Sequence, residues 1–152
     1  MGEIFERILV GVSGTESSRA AVEMAARLAR LHRAQIVLVS VVDTGLSSEV
    51  ARALGRSESD VLADMEANSR KYLRDAEIVA RRLGVSTEAV LRRGTPYLEI
   101  ADEAEVRRAD LVVLGSTHIV GPHRLAIGRV LERVIEHVDC PVLVVRHRKQ
   151  ST

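Results

Sequence analysis

The sequence predicts a single α/β domain built on a parallel sheet with helices on both faces, and three observations carry that prediction. Short apolar runs are spaced along the chain at Ile8–Val12, Ile36–Val42, Ser86–Leu91, Leu111–Leu114 and Val142–Val145. All but Ser86–Leu91 are Val/Ile/Leu runs with little alternation, as expected for strands buried on both faces. Between consecutive runs lie amphipathic helical patterns, so the order reads β-α-β-α-β-α-β-α-β, which implies parallel pairing and right-handed crossovers. A length of 152 residues suits one domain, 1–152, with a real core and no need of disulfides or metals.

Each element has its own signal. Ile8–Val12 opens the sheet. Ala21, Met24, Ala25 and Leu28 then recur at i, i+3, i+4 and i+7, one face of a helix, with Ser17 or a neighbour as its N-cap. Ile36–Val42 is the second strand. Thr44–Ser57 contains Gly45, Gly55 and several hydroxyl residues and is expected to be an irregular, mobile loop over one end of the sheet. A long stripe follows through Val61, Met65, Tyr72, Leu73, Ala76, Val79, Ala80 and Leu83, with Gly84 placed as a C′ stop. Ser86–Leu91 is mixed in polarity, the character of an edge strand. Pro96 sits well at the first turn of a helix that carries Tyr97, Ile100, Ala101 and Ala104 inward. Leu111–Leu114 is the fourth strand. Val130, Leu131, Val134, Ile135 and Val138 form the last stripe before Pro141 and the final strand Val142–Val145. The polar end, residues 147–152, is expected to fray.

Composition removes several function classes. Lys plus Arg number 22 against 21 Asp plus Glu, without the basic excess of a dedicated nucleic-acid binder. Phe5, Tyr72 and Tyr97 are the only aromatic rings besides histidine, too few for a base-stacking platform. The one cysteine, Cys140, cannot form an internal disulfide and suits a reducing cytoplasm. The residues from Met1 to Glu6 have neither the basic start nor the apolar run of a signal peptide, and no apolar stretch reaches the ~20 residues that span a bilayer. The expectation is a cytoplasmic protein with no nucleic-acid or membrane partner.

Ligands of open α/β sheets sit beyond the carboxyl ends of the strands, where the strand order reverses. Two loops have a fitting composition. The first, Val12 to Ser18, contains Ser13, Gly14, Thr15, Ser17 and Ser18. The second runs from Gly115 to Arg129 and contains Ser116, Thr117, His118, Gly121, His123, Arg124 and Gly128. Glycine lets backbone N–H groups approach phosphate oxygens, and hydroxyls and a helix N-terminus add donors. The second loop is a candidate anion cradle leading into a helix that begins near Gly128. The same composition also suits an ordinary turn and N-cap.

The residues of this second loop and of the last strand resemble the universal stress protein family. That family carries a signature of Gly, two residues, Gly, nine residues, Gly, then Ser or Thr, followed by a Cys-Pro-Val-Leu-Val-Val-like strand. Gly115 and Gly128 stand at the first and third glycine positions, and Cys140-Pro141-Val142-Leu143-Val144-Val145 matches the strand. Asp110 to Gly115, Gly94-Thr95-Pro96 with Glu99-Ile100, Ile8-Leu9-Val10 and Ser17 to Ala25 resemble the family's other segments, so the likeness covers nearly the whole chain. It implies an open doubly wound five-stranded parallel sheet in order 3-2-1-4-5, of the adenine-nucleotide α-hydrolase-like kind, with two helices on each face. It further implies a stress-response regulatory or binding module rather than an enzyme. The implied pocket takes an ATP-type adenine nucleotide, with magnesium only as its companion, across Ser13, Gly14, Thr15, Val41, Gly115, Ser116, His118, Arg124, Gly128, Arg129 and Val130. The resemblance implies a homodimer through Val142, Leu143, Val144 and Val145.

Three residues depart from the family pattern where a ligand would be touched. His118 replaces the second signature glycine, Arg129 replaces the final Ser or Thr, and Ser13 replaces the Asp usual in ATP-binding members. The family includes members that bind ATP and members that do not, and these departures lean toward the second group. His118, Arg124 and Arg129 are nonetheless donors for anions. A changed ligand and an interaction module with an empty pocket both stay open.

Other candidates are weaker. Cys140 reads as a small packed residue rather than a redox thiol. His118 and His123 lack neighbouring acids or cysteines to complete a metal site. Ser13, Ser17 and Ser18 have no Gly-x-Ser-x-Gly elbow. Ser13-Gly14-Thr15-Glu16-Ser17-Ser18 distantly resembles the Ser-Gly-Gly-x-Asp-Ser loop of ATP pyrophosphatases, but Thr15 and Ser17 replace its second Gly and its Asp. Arg81-Arg82, Arg92-Arg93, Arg107-Arg108 and the acids Asp102, Glu103 and Glu105 are expected to be solvated surface.

Overall fold

A computed structural model describes residues 4–116 and 129–147. Along the described chain the elements are β1 (Arg7–Gly11), α1 (Glu16–His32), β2 (Gln35–Asp43), α2 (Thr44–Leu54), α3 (Glu58–Arg82), β3 (Thr87–Gly94), α4 (Pro96–Val106), β4 (Leu111–Gly115), α5 (Arg129–His137) and β5 (Val142–Val145). The sheet has the order β3-β2-β1-β4-β5, and every pairing is parallel. This is the expected topology.

The alternating side chains of the strands feed two separate cores. Ile8 and Val10 of β1, Ile36 and Leu38 of β2, and Leu111 and Val113 of β4 point to one face, where α1 and α3 cover them. Leu9, Val37, Val39, Val112 and Leu114 point to the other, under α4 and α5. Both faces are buried under helices, so the strands read as unbroken apolar runs. The contribution of α1 to its core is largely alanine, Ala21, Ala25, Ala26 and Ala29, with Val22. Those short side chains let the helix lie close to the sheet.

The helix ends follow their local chemistry. Thr15 caps α1, its hydroxyl accepting from Ser18 N at 3.1 Å. Ser57 caps α3 through Asp60 N at 3.2 Å, and Gly84 follows its end with φ +76°, a left-handed turn that glycine adopts without strain. Pro96 occupies the first turn of α4.

Two expectations are corrected. Thr44–Leu54 is not irregular: it forms the helix α2, which follows the carboxyl end of β2. The Asp43 carboxylate caps α2 by accepting from Leu46 N at 3.0 Å, and Gly55 ends it with φ +62°. The charge runs of β3 and α4 are also not all solvated. Arg92 donates to Glu99, Glu103 and Asp102, each at 2.6 Å, and Arg107 donates to Glu103 at 3.2 Å and Glu88 at 2.6 Å. Glu103 is buried, at 5% exposure. The hydrogen bonds that Arg92 donates, to Glu103 first and then to Asp102 and Glu99, push its pKa up. For Arg107 the largest cause of its upward shift is Glu88.

Candidate functional site

The carboxyl ends of β1 and β4 lie side by side. From β1 the chain passes to α1 on one face, while α5, which precedes β5, packs on the other. A crevice at such a reversal is where doubly wound folds receive ligands. Here it is a cleft of about 240 Å³. Gly11, Val12 and Ser13 come from the end of β1 and the loop after it, Val39 and Val41 from β2, and Leu114 and Gly115 from β4. Pro96 and Ile100 at the start of α4, and Val130 and Leu131 at the start of α5, close the sides.

The mouth of the cleft is built from hydroxyls. Ser13 Oγ lies 3.1 Å from Thr15 Oγ1, which lies 3.2 Å from Ser17 Oγ. Ser13 N donates to Ser18 Oγ at 2.8 Å. These bonds tie the loop after β1 to the first turn of α1. Gly115 packs directly on that turn, since a β-carbon there would fall 2.5 Å from Ser17 O and 2.6 Å from Ser18 N. Ser116 N donates to Val145 O at 2.9 Å, whereas its buried Oγ has no hydrogen-bond partner among the described residues.

Of the residues expected at the site, Ser13, Thr15, Val41, Gly115 and Val130 line this cleft. Gly14 turns to the opposite face, where Tyr72 of α3 stands over it: a β-carbon on Gly14 would lie 2.6 Å from Tyr72 Cζ. Ser116 follows Gly115 but is not part of the lining, and Arg129 is exposed at the start of α5. His118, Arg124 and Gly128 lie outside the described residues. Sequence reasoning missed Gly11, Val39, Pro96, Ile100, Leu114 and Leu131. Their signal is position alone: each lies at or near a strand's carboxyl end or within a helix's first turns.

The chemistry on offer is that of a binding slot. Its described lining has apolar walls and hydroxyl groups but no charged side chain. The hydroxyls of Ser13, Thr15, Ser17 and Ser18 bond, among the described residues, to one another and to backbone N–H groups. Among the described residues none is paired with an imidazole or carboxylate that could draw off a proton. No group of three or more His, Cys, Asp or Glu able to hold a metal occurs among the described residues. Cys140 lies in a separate groove between α4 and α5. Burial pushes its thiol up, which favours the protonated and less nucleophilic form. No helix among the described residues is long and apolar enough to cross a membrane.

An adenine nucleotide fits the part of this cleft that is described. Val12, Val39, Val41 and Ile100 offer apolar surface to a base, and Ser13 and Thr15 offer hydroxyls to a sugar or phosphate. A magnesium ion finds no carboxylate in the described lining.

Comparison with known proteins agrees with this geometry. The profile of the universal stress protein family matches residues 4–146. The chain is 31% identical to the universal stress protein MJ0531 of Methanocaldococcus jannaschii, over 97% of this chain and 86% of that one. It also shares its fold with two solved structures that hold nucleotides. One is a universal stress protein in complex with cAMP, with a TM-score of 0.71 and 23% identity over 95% of this chain and 98% of that one. The other is the universal stress protein from Archaeoglobus fulgidus in complex with dAMP, with a TM-score of 0.69 and 22% identity over 93% and 98% of the two chains.

Proposed function

The chain belongs to the universal stress protein family, and from that premise we propose that it is a non-enzymatic regulatory module of the stress response whose cleft takes an adenosine monophosphate rather than ATP with magnesium. The carrying observation is the lining of the cleft. It is an apolar slot with a hydroxyl mouth and no charged side chain among its described residues. Such a site holds a base by burial and a sugar by hydroxyl contacts. It has no described carboxylate to bring a metal beside a triphosphate. Ser13, where ATP-binding relatives usually carry Asp, supplies a hydroxyl already engaged with Thr15. Relatives of the same fold are in complex with cAMP and with dAMP, both single-phosphate adenine nucleotides.

Calorimetry with AMP, cAMP and ATP, each with and without magnesium, tests the reading. The expected result is binding of AMP or cAMP at micromolar to sub-millimolar concentration, unchanged by magnesium, with ATP no tighter. Tight, magnesium-dependent ATP binding would overturn the preference for a monophosphate. Absence of heat with all three would leave the interaction module with an empty cleft as the function.

The module is proposed to act as a homodimer through β5. The two edges of the sheet differ in the way this requires. Edge strand β3 carries Glu88, Arg92 and Arg93, the charges that discourage strand-to-strand association. Edge strand β5 is Val-Leu-Val-Val, without a charge.

A further inference from the structure

On the face of the sheet opposite the cleft, α1 and α3 leave a groove of about 380 Å³ between them. That volume lies near the low end of ordinary small-molecule pockets, about 300–1,000 Å³. We propose that this groove is a second binding site, for a small amphipathic monoanion with an apolar body and a carboxylate head.

The groove has the two surfaces such a ligand needs. Its floor is apolar: Val12, Val22 and Ala76 are buried, and Val79 is half-buried beside them. Ile78 stays 42% exposed on the groove wall, in a stretch of α3 whose other exposed residues are charged. An isoleucine so placed is covered when an apolar body lies along the groove. The rim is charged. Arg19 of α1 and Arg82 of α3 line it, with Asp75 as the one acid. None of the three forms an ion pair among the described residues, although Arg27, Arg56, Arg92, Arg93 and Arg107 all do. Two guanidinium groups against one carboxylate leave a single positive charge, the complement of a monoanion. Tyr72 closes one end of the groove, its ring against Gly14.

The site stands independently of the nucleotide reading. The two cavities share Val12, Ser13 and Ser18 but lie on opposite faces of the sheet. A ligand in the groove touches the back of the loop whose front forms the mouth of the cleft. Whatever nucleotide the cleft takes, the helical walls and the charges of the groove are its own.

Octanoate, octanol and octylammonium, each below its micelle-forming concentration, are the probes. Binding is followed by backbone amide shifts on the full-length protein. Octanoate is expected to bind at least about tenfold tighter than octylammonium and to shift the amides of Arg19, Val22, Ile78 and Val79. The double variant Arg19→Gln/Arg82→Gln should weaken octanoate about tenfold and leave octanol unchanged. Ile78→Asp should weaken both. All three positions are exposed, so the variants should keep the parent fold, and their circular dichroism verifies it. Octanoate binding no tighter than octylammonium, or shifts confined to cleft residues such as Val41 and Ile100, overturns the proposal. Insensitivity of octanoate to the double variant overturns it as well.

Discussion

A β-carbon on Gly115 would meet backbone rather than the movable end of a side chain, at 2.5 Å from Ser17 O and 2.6 Å from Ser18 N. Neither atom is free to give way. Thr15 caps α1 through Ser18 N, and Ser17 and Ser18 are both buried. Gly115→Ala must therefore push the start of α1 away from β4. Overpacking of this kind costs about 1–3 kcal/mol, and the displaced turn carries the hydroxyls of the cleft mouth. The expected outcome is a lower urea midpoint with an unchanged m-value, together with weaker nucleotide binding. A loss of stability below about 0.5 kcal/mol would show that the contact relaxes freely.

At the scale of elements, the charge network between β3 and α4 shows what a linear reading loses. Pairs of adjacent arginines and a run of acids look like solvated surface because neighbouring residues on a helix point in different directions. Folding brings Arg92, seven to eleven residues away in sequence, against Glu99, Asp102 and Glu103 together. Glu103 also receives Arg107, so one buried carboxylate serves both guanidinium groups. Glu103→Gln keeps the shape and removes the charge. Hydrogen bonds to charged groups are worth roughly 1.5–3 kcal/mol, and a loss of about that size is expected in thermal or urea unfolding. Glu23→Gln, whose ion pair with Arg27 is largely exposed, should change stability by well under 1 kcal/mol. Equal effects from the two variants would mean that Glu103 contributes no more than a surface acid. The helix α2 was missed for a different reason. Its stop and start are written in the chain, as Asp43 before it and Gly55 after it. Its buried residues, however, are only Ser47 and Ala51, so no stripe of large apolar side chains announces a helix. The strands and the other helices were legible because each buries a face against the sheet. The hydroxyl loop of the cleft was legible because the end of β1 can be located from the run Ile8–Val12. The groove between α1 and α3 was not, since only packing brings Arg19 and Arg82 to one groove and Tyr72 over Gly14.

At the scale of the molecule, the register of β5 says how two copies would meet. Val112 N donates to Pro141 O and Ser116 N donates to Val145 O. Residues 141 and 145 therefore turn their backbone groups toward β4. Because alternate residues of a strand face opposite sides in the sheet plane, Val142 and Val144 turn theirs outward, to the open edge. The proposed dimer pairs these outward groups antiparallel across a two-fold axis, an isologous contact in which each copy lends the same strand. Val144→Pro tests this without disturbing the domain. It removes one outward N–H and leaves the ladder to β4 intact, and proline is tolerated on an edge strand. The parent should run at twice 16.7 kDa in size-exclusion chromatography with light scattering at micromolar concentration. The variant should run at 16.7 kDa with an unchanged circular dichroism spectrum. A parent already monomeric would remove the dimer from the proposed function. A dimeric variant would move the contact to another surface. Val144→Lys supplies the charge that the opposite edge of the sheet already carries in Arg92 and Arg93, and it should give the same monomer by repulsion rather than by loss of a donor. Agreement between the two variants would assign the association to the edge of β5 itself.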